Sequence, residues 1–175
     1  MNTAGHAYFW PGLFSQWAKF KIKDRENIEY NCCEQYMMAH KAMLFNDKAS
    51  CELIMKCDDP KHQKKLGRLV ANYNEDLWNK YKLQIVYEGN MFKYLQNHSL
   101  QKLLIETSDK LLVEASPFDL VWGAGLDERD CKKTDPSQWP GKNYLGKILT
   151  LVREDIKNNS YTNNVNDVFK TLNWL

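Results

Sequence analysis

Two carboxylates, Glu114 and Asp119, stand five residues apart across Pro117, and an indole and two glycines follow at Trp122, Gly123 and Gly125. Paired carboxylates suit cleavage of a glycosidic bond, because the transition state resembles an oxocarbenium cation that negative charge stabilises. Trp122 has two readings: it stacks on a base or shapes the pocket, or it plugs a turn with its apolar ring. The backbone N–H groups of residues 123–125 can cradle a phosphate. The apolar run 111–113 leads into Glu114, and Pro117 forbids helix continuation. The segment therefore reads as a strand end running into a Gly-rich loop, a common place for binding chemistry.

A second constellation lies upstream. Glu34 and Lys41 are seven residues apart, nearly two helical turns, so on a helix they share one face. A carboxylate and an amine so placed can serve proton transfer or attack on a sugar carbon. The competing reading makes Glu34 the third residue of a capping box begun at Asn31 and Lys41 a solvated charge. Gly67 sits inside a helical pattern, where glycine costs about 1 kcal/mol relative to alanine. Either it allows close backbone approach that lets Arg68 reach a ligand phosphate, or it marks a helix crossing beside a surface arginine. Asn143 and Gly146 bring a helix N-terminus toward the same anion, or Asn143 only caps that helix.

These residues need elements to hold them. The spacing predicts helices over 31–45, 47–57 and from Pro60 to about residue 73. A long helix capped by Asn74 follows, then a shorter one capped by Ser99. A strand is expected over 110–115, a long loop over 116–142, and a last helix from Asn143. Residues 6–30 read as short extended segments with a hairpin closing at residues 24–27. Segment 158–175 is polar and then apolar, and reads as an extension that docks as a short helix. The expected fold is a mainly α single domain with minor short β-strands.

The chain has 175 residues and a formal net charge of +2, so no strong global field draws it to nucleic acid or a membrane. Its five cysteines form no C-x-x-C pair, and the four histidines are scattered. That argues for reduced thiols in a cytosol and against a metal site. No apolar run is long enough to span a bilayer and no signal peptide is evident, so the expectation is a cytoplasmic protein.

The fragments fall in a fixed order: Glu34-Gln35-Tyr36-Met37 with Lys41, then Gly67-Arg68, an aromatic-centred helix around Trp78, Glu114 to Gly125 with Asp119 and Trp122, then Asn143 to Gly146. This order resembles the NADAR or YbiA-like family over about residues 8–157. The resemblance implies a YbiA-like fold and an N-glycosidase domain over 1–157. The activity implied is hydrolysis of the bond between a phosphorylated or ADP-linked ribose and a nitrogen base. Its substrate is a phosphoribosylated pyrimidine of riboflavin synthesis, or an ADP-ribosylated guanine, including one carried by nucleic acid. Glu34, Lys41, Glu114 and Asp119 fall on catalytic positions. Gly67, Arg68, Trp122, Gly123, Gly125, Asn143 and Gly146 fall on substrate-binding ones. Gln96 falls where the family often has K-F-x-Q. Ser15-Gln16-Trp17 departs from the family's S-N-F. Water is the second substrate, so no cofactor is implied. The alternative is a catalytically silent module that binds ADP-ribose or NAD-like nucleotides, which intact Glu34 and Lys41 disfavour.

Overall fold

The computed structural model describes residues 5–175. In chain order the elements are β1 (His6–Phe9), β2 (Ile22–Lys23), β3 (Glu29–Tyr30), α1 (Cys33–Leu44), α2 (Lys48–Lys56), α3 (Pro60–Arg68) and α4 (Glu75–Gln96). There follow α5 (His98–Glu106), β4 (Leu111–Glu114), α6 (Glu128–Cys131), α7 (Tyr144–Asn158) and α8 (Val165–Thr171). The mainly α character with short strands is as expected. The chain folds as two compact units, one of residues 16–97 and one taking the residues up to 15 together with 98–175. Segment 158–175 packs within the same unit as α7.

In the unit of residues 16–97, α1 is the hub, packed on α2, α3 and α4. It buries residues on every side, from Cys33 through Ala39 and again at Ala42, as a helix enclosed by neighbours must. Its start corrects the capping expectation. Cys32, not Asn31, precedes the helix and makes no side-chain cap. Gln35 reaches back instead: its Oε1 accepts from the Asn31 N–H at 2.7 Å. Its Nε2 donates to the carbonyls of Ile54, Met55 and Cys57 at 3.0–3.2 Å. Glu34 is thereby released from capping. Asn74 caps α4 as read, accepting from Leu77 N–H, and Pro60 stands in the first turn of α3; Asp47 and Asp59 cap α2 and α3, and Ser99 lies inside α5 instead of capping it. The expected hairpin joins β2 to β3 antiparallel. Asp24 Oδ1 closes its turn by accepting from the N–H groups of Glu26 and Ile28. Gln96 clamps the hairpin to α4 through both backbone groups of Lys23, at 2.7 and 2.8 Å.

In the other unit β1 and β4 pair in parallel, with Phe9 opposite Glu114. Helix α7 lies on β4. Gly146 makes that approach possible, since a Cβ there would sit 2.1 Å from the Leu112 carbonyl oxygen. Thr150 Oγ1 accepts from Leu112 N–H at 3.0 Å. Arg153 is enclosed and donates to Thr107 Oγ1 and the Lys110 carbonyl, tying α7 to the end of α5. The long loop carries two elements that its prolines hid, the short helix α6 capped by Asp127 and a 3-10 turn at Pro136–Gln138. The expected terminal helix is α8. Val165 and Phe169 are buried, and Asp155 accepts from the hydroxyls of Ser160 and Thr162 at 2.7 and 2.8 Å.

Candidate active site

Glu34, Lys41, Gly67 and Arg68 belong to the unit of residues 16–97. Glu34 is 3 % exposed. Its Oε2 accepts from the indole N–H of Trp17 at 3.3 Å, while Trp17 itself is 42 % exposed. The helix N–H of Glu34 is spent on the carbonyl of Gln16. Gln16 is in turn held by Asn90, whose Nδ2 donates to its Oε1 at 2.8 Å. The position where the sequence departs from its family pattern, Gln16-Trp17, is therefore the one that frames the buried carboxylate.

Lys41 occupies an aromatic cage. Its Nζ donates to the Gly67 carbonyl at 2.8 Å and lies 4.5 Å from the Tyr73 ring centroid and 5.5 Å from that of Trp78. Burial, and then the positive charge of Arg68, push this amine below the usual lysine range. Gly67 is a helix-crossing glycine: a Cβ would meet Met38 Sδ at 1.9 Å. Its carbonyl accepts from Lys41, and of the two readings of this glycine the geometry matches the helix crossing beside a surface arginine. Arg68 itself is exposed at the C-terminus of α3, with no carboxylate partner among the described residues. A caged amine and an uncompensated guanidinium in one neighbourhood favour an anionic ligand.

The sequence reading missed Lys93, a lysine that is 1 % exposed on α4. Its Nζ is 5.4 Å from the ring centroids of both Phe20 and Tyr94. Burial lowers its proton affinity, while Cys33 and Cys32 act in the opposite sense. Its signal was positional: Lys93 follows Val86, Gly89 and Asn90 at helical spacing, all buried.

The remaining motif residues lie in the other unit. Glu114 ends β4, largely buried, with its N–H donating to Asn143 Oδ1 at 2.9 Å. Asp119 closes a turn: its Oδ1 accepts from the N–H groups of Val121 and Trp122 at 3.0 and 2.8 Å. Trp122 is half-buried and meets the Tyr144 ring edge-on at 6.4 Å. The expected phosphate cradle at residues 123–125 is partly spent, since the Ala124 N–H donates to the Glu114 carbonyl at 2.8 Å. Its glycines permit backbone crossings. A Cβ at Gly123 would meet the Asp119 carbonyl oxygen at 2.9 Å, and Gly125 takes a φ of +74°. Asn143 neither caps α7 with its side chain nor faces open space. It sits at φ 50°, is 1 % exposed, and bridges the Leu112 carbonyl and the Glu114 N–H. Gly146 serves the β4 approach described above. Gln96, which clamps β2, is likewise occupied by backbone.

Among the described residues no helix is long and apolar enough to cross a membrane. The same residues hold no cluster of His, Cys, Asp or Glu that could bind a metal ion.

The fold is that of the Escherichia coli protein YbiA, whose NMR structure superposes with a TM-score of 0.72 at 24% identity, covering 91% of this chain and 89% of that one. Residues 8–157 match the NADAR domain family, and the chain belongs to that family. An N-glycosidase of Acanthamoeba polyphaga mimivirus is 46% identical over 147 residues, covering 82% of this chain and 86% of the relative. An N-glycosidase of Nostoc punctiforme is 32% identical over 147 residues, with coverage of 84% and 86%.

Proposed function

We propose that the protein is an N-glycosidase that hydrolyses the bond between a phosphorylated ribose and a nitrogen base. The observation that carries this reading is the pairing on α1 of a buried carboxylate, freed from capping by Gln35, with a caged amine two turns later. Their spacing of seven residues puts about 10 Å of helix rise between their Cα atoms. Relatives named N-glycosidases at up to 46% identity support the same chemistry.

In the favoured scheme the neutral amine of Lys41 attacks the anomeric carbon. The carbon–nitrogen bond breaks, its electron pair leaves with the base, and Glu34 delivers the proton the base takes up. Ring opening gives an imine between Nζ and the sugar carbon. Water then hydrolyses the imine and regenerates the amine. Burial of Lys41 supplies the neutral form nearer to neutral pH than a solvated lysine would. Arg68 holds the sugar phosphate.

Two substrates fit: an ADP-ribosylated guanine in DNA or RNA, and a phosphoribosylated pyrimidine of the riboflavin route. The test is direct. The protein is incubated with each and released base is measured by chromatography, with Glu34→Gln as control. Base release from one substrate, abolished in the control, is the expected result. Tight binding of both without release would instead describe a nucleotide-binding module.

A further inference from the structure

Helix α1 has a second face. Tyr36 and His40 lie roughly opposite Glu34 and Lys41 around the helix axis. With the turn between β2 and β3 and with α4 they line a cavity of about 220 Å³ within the unit of residues 16–97. Its walls are aromatic. The Tyr36 ring stacks on His40 at 3.9 Å and meets the rings of Tyr30 and Phe92 edge-on at 5.0 and 6.0 Å. Three carboxylates line the same space, Asp24, Glu26 and Glu88, against one guanidinium, that of Arg25, which is exposed in the hairpin turn. Burial pushes His40 down from the usual histidine range, so the ring adds no charge at neutral pH. The balance is negative. The inner carboxylates offer charge more than vacant lone pairs. Asp24 Oδ1 accepts from the N–H groups of Glu26 and Ile28, both at 2.9 Å, and its Oδ2 accepts from the Tyr30 hydroxyl at 3.0 Å. Glu88 accepts from the Tyr36 hydroxyl at 3.5 Å and from Gln84 Nε2 at 3.2 Å. These donors are neutral. Neither Asp24 nor Glu26 has an ion-pair partner among the described residues. Those residues hold no group of His, Cys, Asp or Glu that could bind a metal ion.

We propose that this cavity binds a small alkylated ammonium ion, at a site separate from Glu34 and Lys41. Aromatic walls attract a cation through the negative faces of their rings, and partial removal from water strengthens that attraction. The carboxylates add unneutralised negative charge around the same space. Alkylation matters because of how Asp24 is spent. A primary ammonium brings three N–H donors that each need an acceptor, whereas a quaternary ammonium brings none and spreads its charge over methyl groups that pack against rings. The site needs nothing from the glycosidase reading, and binding needs no turnover.

Calorimetric titration of the full chain with choline at constant ionic strength tests it. Two controls accompany choline: its neutral carbon isostere, in which a tert-butyl group replaces the trimethylammonium, and ethanolamine, its unmethylated analogue. Choline is expected to bind about tenfold more tightly than the isostere, the scale of a partly desolvated cation over aromatic rings, and about fivefold more tightly than ethanolamine. Phe92→Leu keeps an apolar wall but removes one ring, and should weaken choline about fivefold while leaving the isostere unchanged. Glu26→Gln should weaken choline about threefold. Glu26 is exposed, so its variant keeps the test open if the Phe92→Leu protein does not fold. Choline should also leave the KM of a ribosyl substrate unchanged. Choline binding that is undetectable, equal to that of the isostere or of ethanolamine, or unaltered in both variants overturns the proposal. Choline that competes with the ribosyl substrate overturns the separateness of the site. Choline bound as expected with no base released from any substrate keeps this site and rejects the glycosidase.

Discussion

The two motif-bearing regions spend their residues differently. Around α1 the side chains that match the family pattern make side-chain contacts: Glu34 Oε2 accepts from the Trp17 indole, Lys41 donates to the Gly67 carbonyl inside its cage, and Arg68 has no carboxylate partner among the described residues. Around β4 the matching residues are largely consumed by backbone. Asn143 bridges two strand residues, Asp119 closes a turn, and Gly123 and Gly146 allow main chains to touch. Residues of one motif can thus be required for opposite reasons. One region carries the proposed reactive groups, and in the other the motif builds a strand end and its loop.

That contrast is broken most readily at its extremes. Glu34→Gln should lower kcat by about 10³-fold, the scale of a lost general acid–base group. Its melting temperature should stay close to wild type, because the amide still accepts from Trp17. Activity retained to within tenfold would remove Glu34 from the chemistry. Gly146→Ala should do the opposite. The new methyl drives into the Leu112 carbonyl, and overpacking of this kind costs about 3 kcal/mol. The expected readout is an unfolding midpoint shifted to lower denaturant with kcat of the folded fraction preserved. An unshifted midpoint would show that α7 and β4 can part without cost.

Smaller changes sharpen the comparison. Arg68→Ala should raise the KM for a phosphorylated substrate about tenfold, as expected for one lost charge-assisted contact, and leave kcat within about twofold on the high-pH plateau where Lys41 is already neutral. Steady-state kinetics on the phosphorylated and dephosphorylated substrates check this, since only the former should respond. The pH profile gives the finest effect. Lys41 attacks as the neutral amine, so kcat/KM should rise with pH and level off once the amine is deprotonated, below the ordinary lysine range. Arg68→Ala removes a repelling cation and should move that rise to higher pH. A rise that does not move would place the titration on another group.

Periodicity and caps made most helices legible. Asn74 with its apolar stripe and Pro60 opened α4 and α3 where expected. The start of α1 was misread because Asn31 and Glu34 satisfy a capping box, whereas Gln35, one residue on, makes the bond and adds three carbonyls that only the folded chain brings near. The small elements of loop 116–142 were hidden because each is a single turn fixed by an aspartate side chain. On the site, spacing alone placed Glu34 and Lys41 on one helix. It could not reveal that Asn143 faces β4, because a left-handed asparagine before a helix looks like any cap. Lys93 escaped because a lysine among apolar residues reads as a surface interruption until burial is known.

The proposed route requires that Lys41 form a covalent imine with the sugar during turnover. Borohydride reduction of the working enzyme, followed by peptide mass mapping, tests it directly. A sugar adduct is expected on the peptide carrying Lys41, absent in Lys41→Arg and in protein reduced without substrate. An adduct mapped to Lys93, or base release that continues in Lys41→Arg with no adduct trapped, would contradict it.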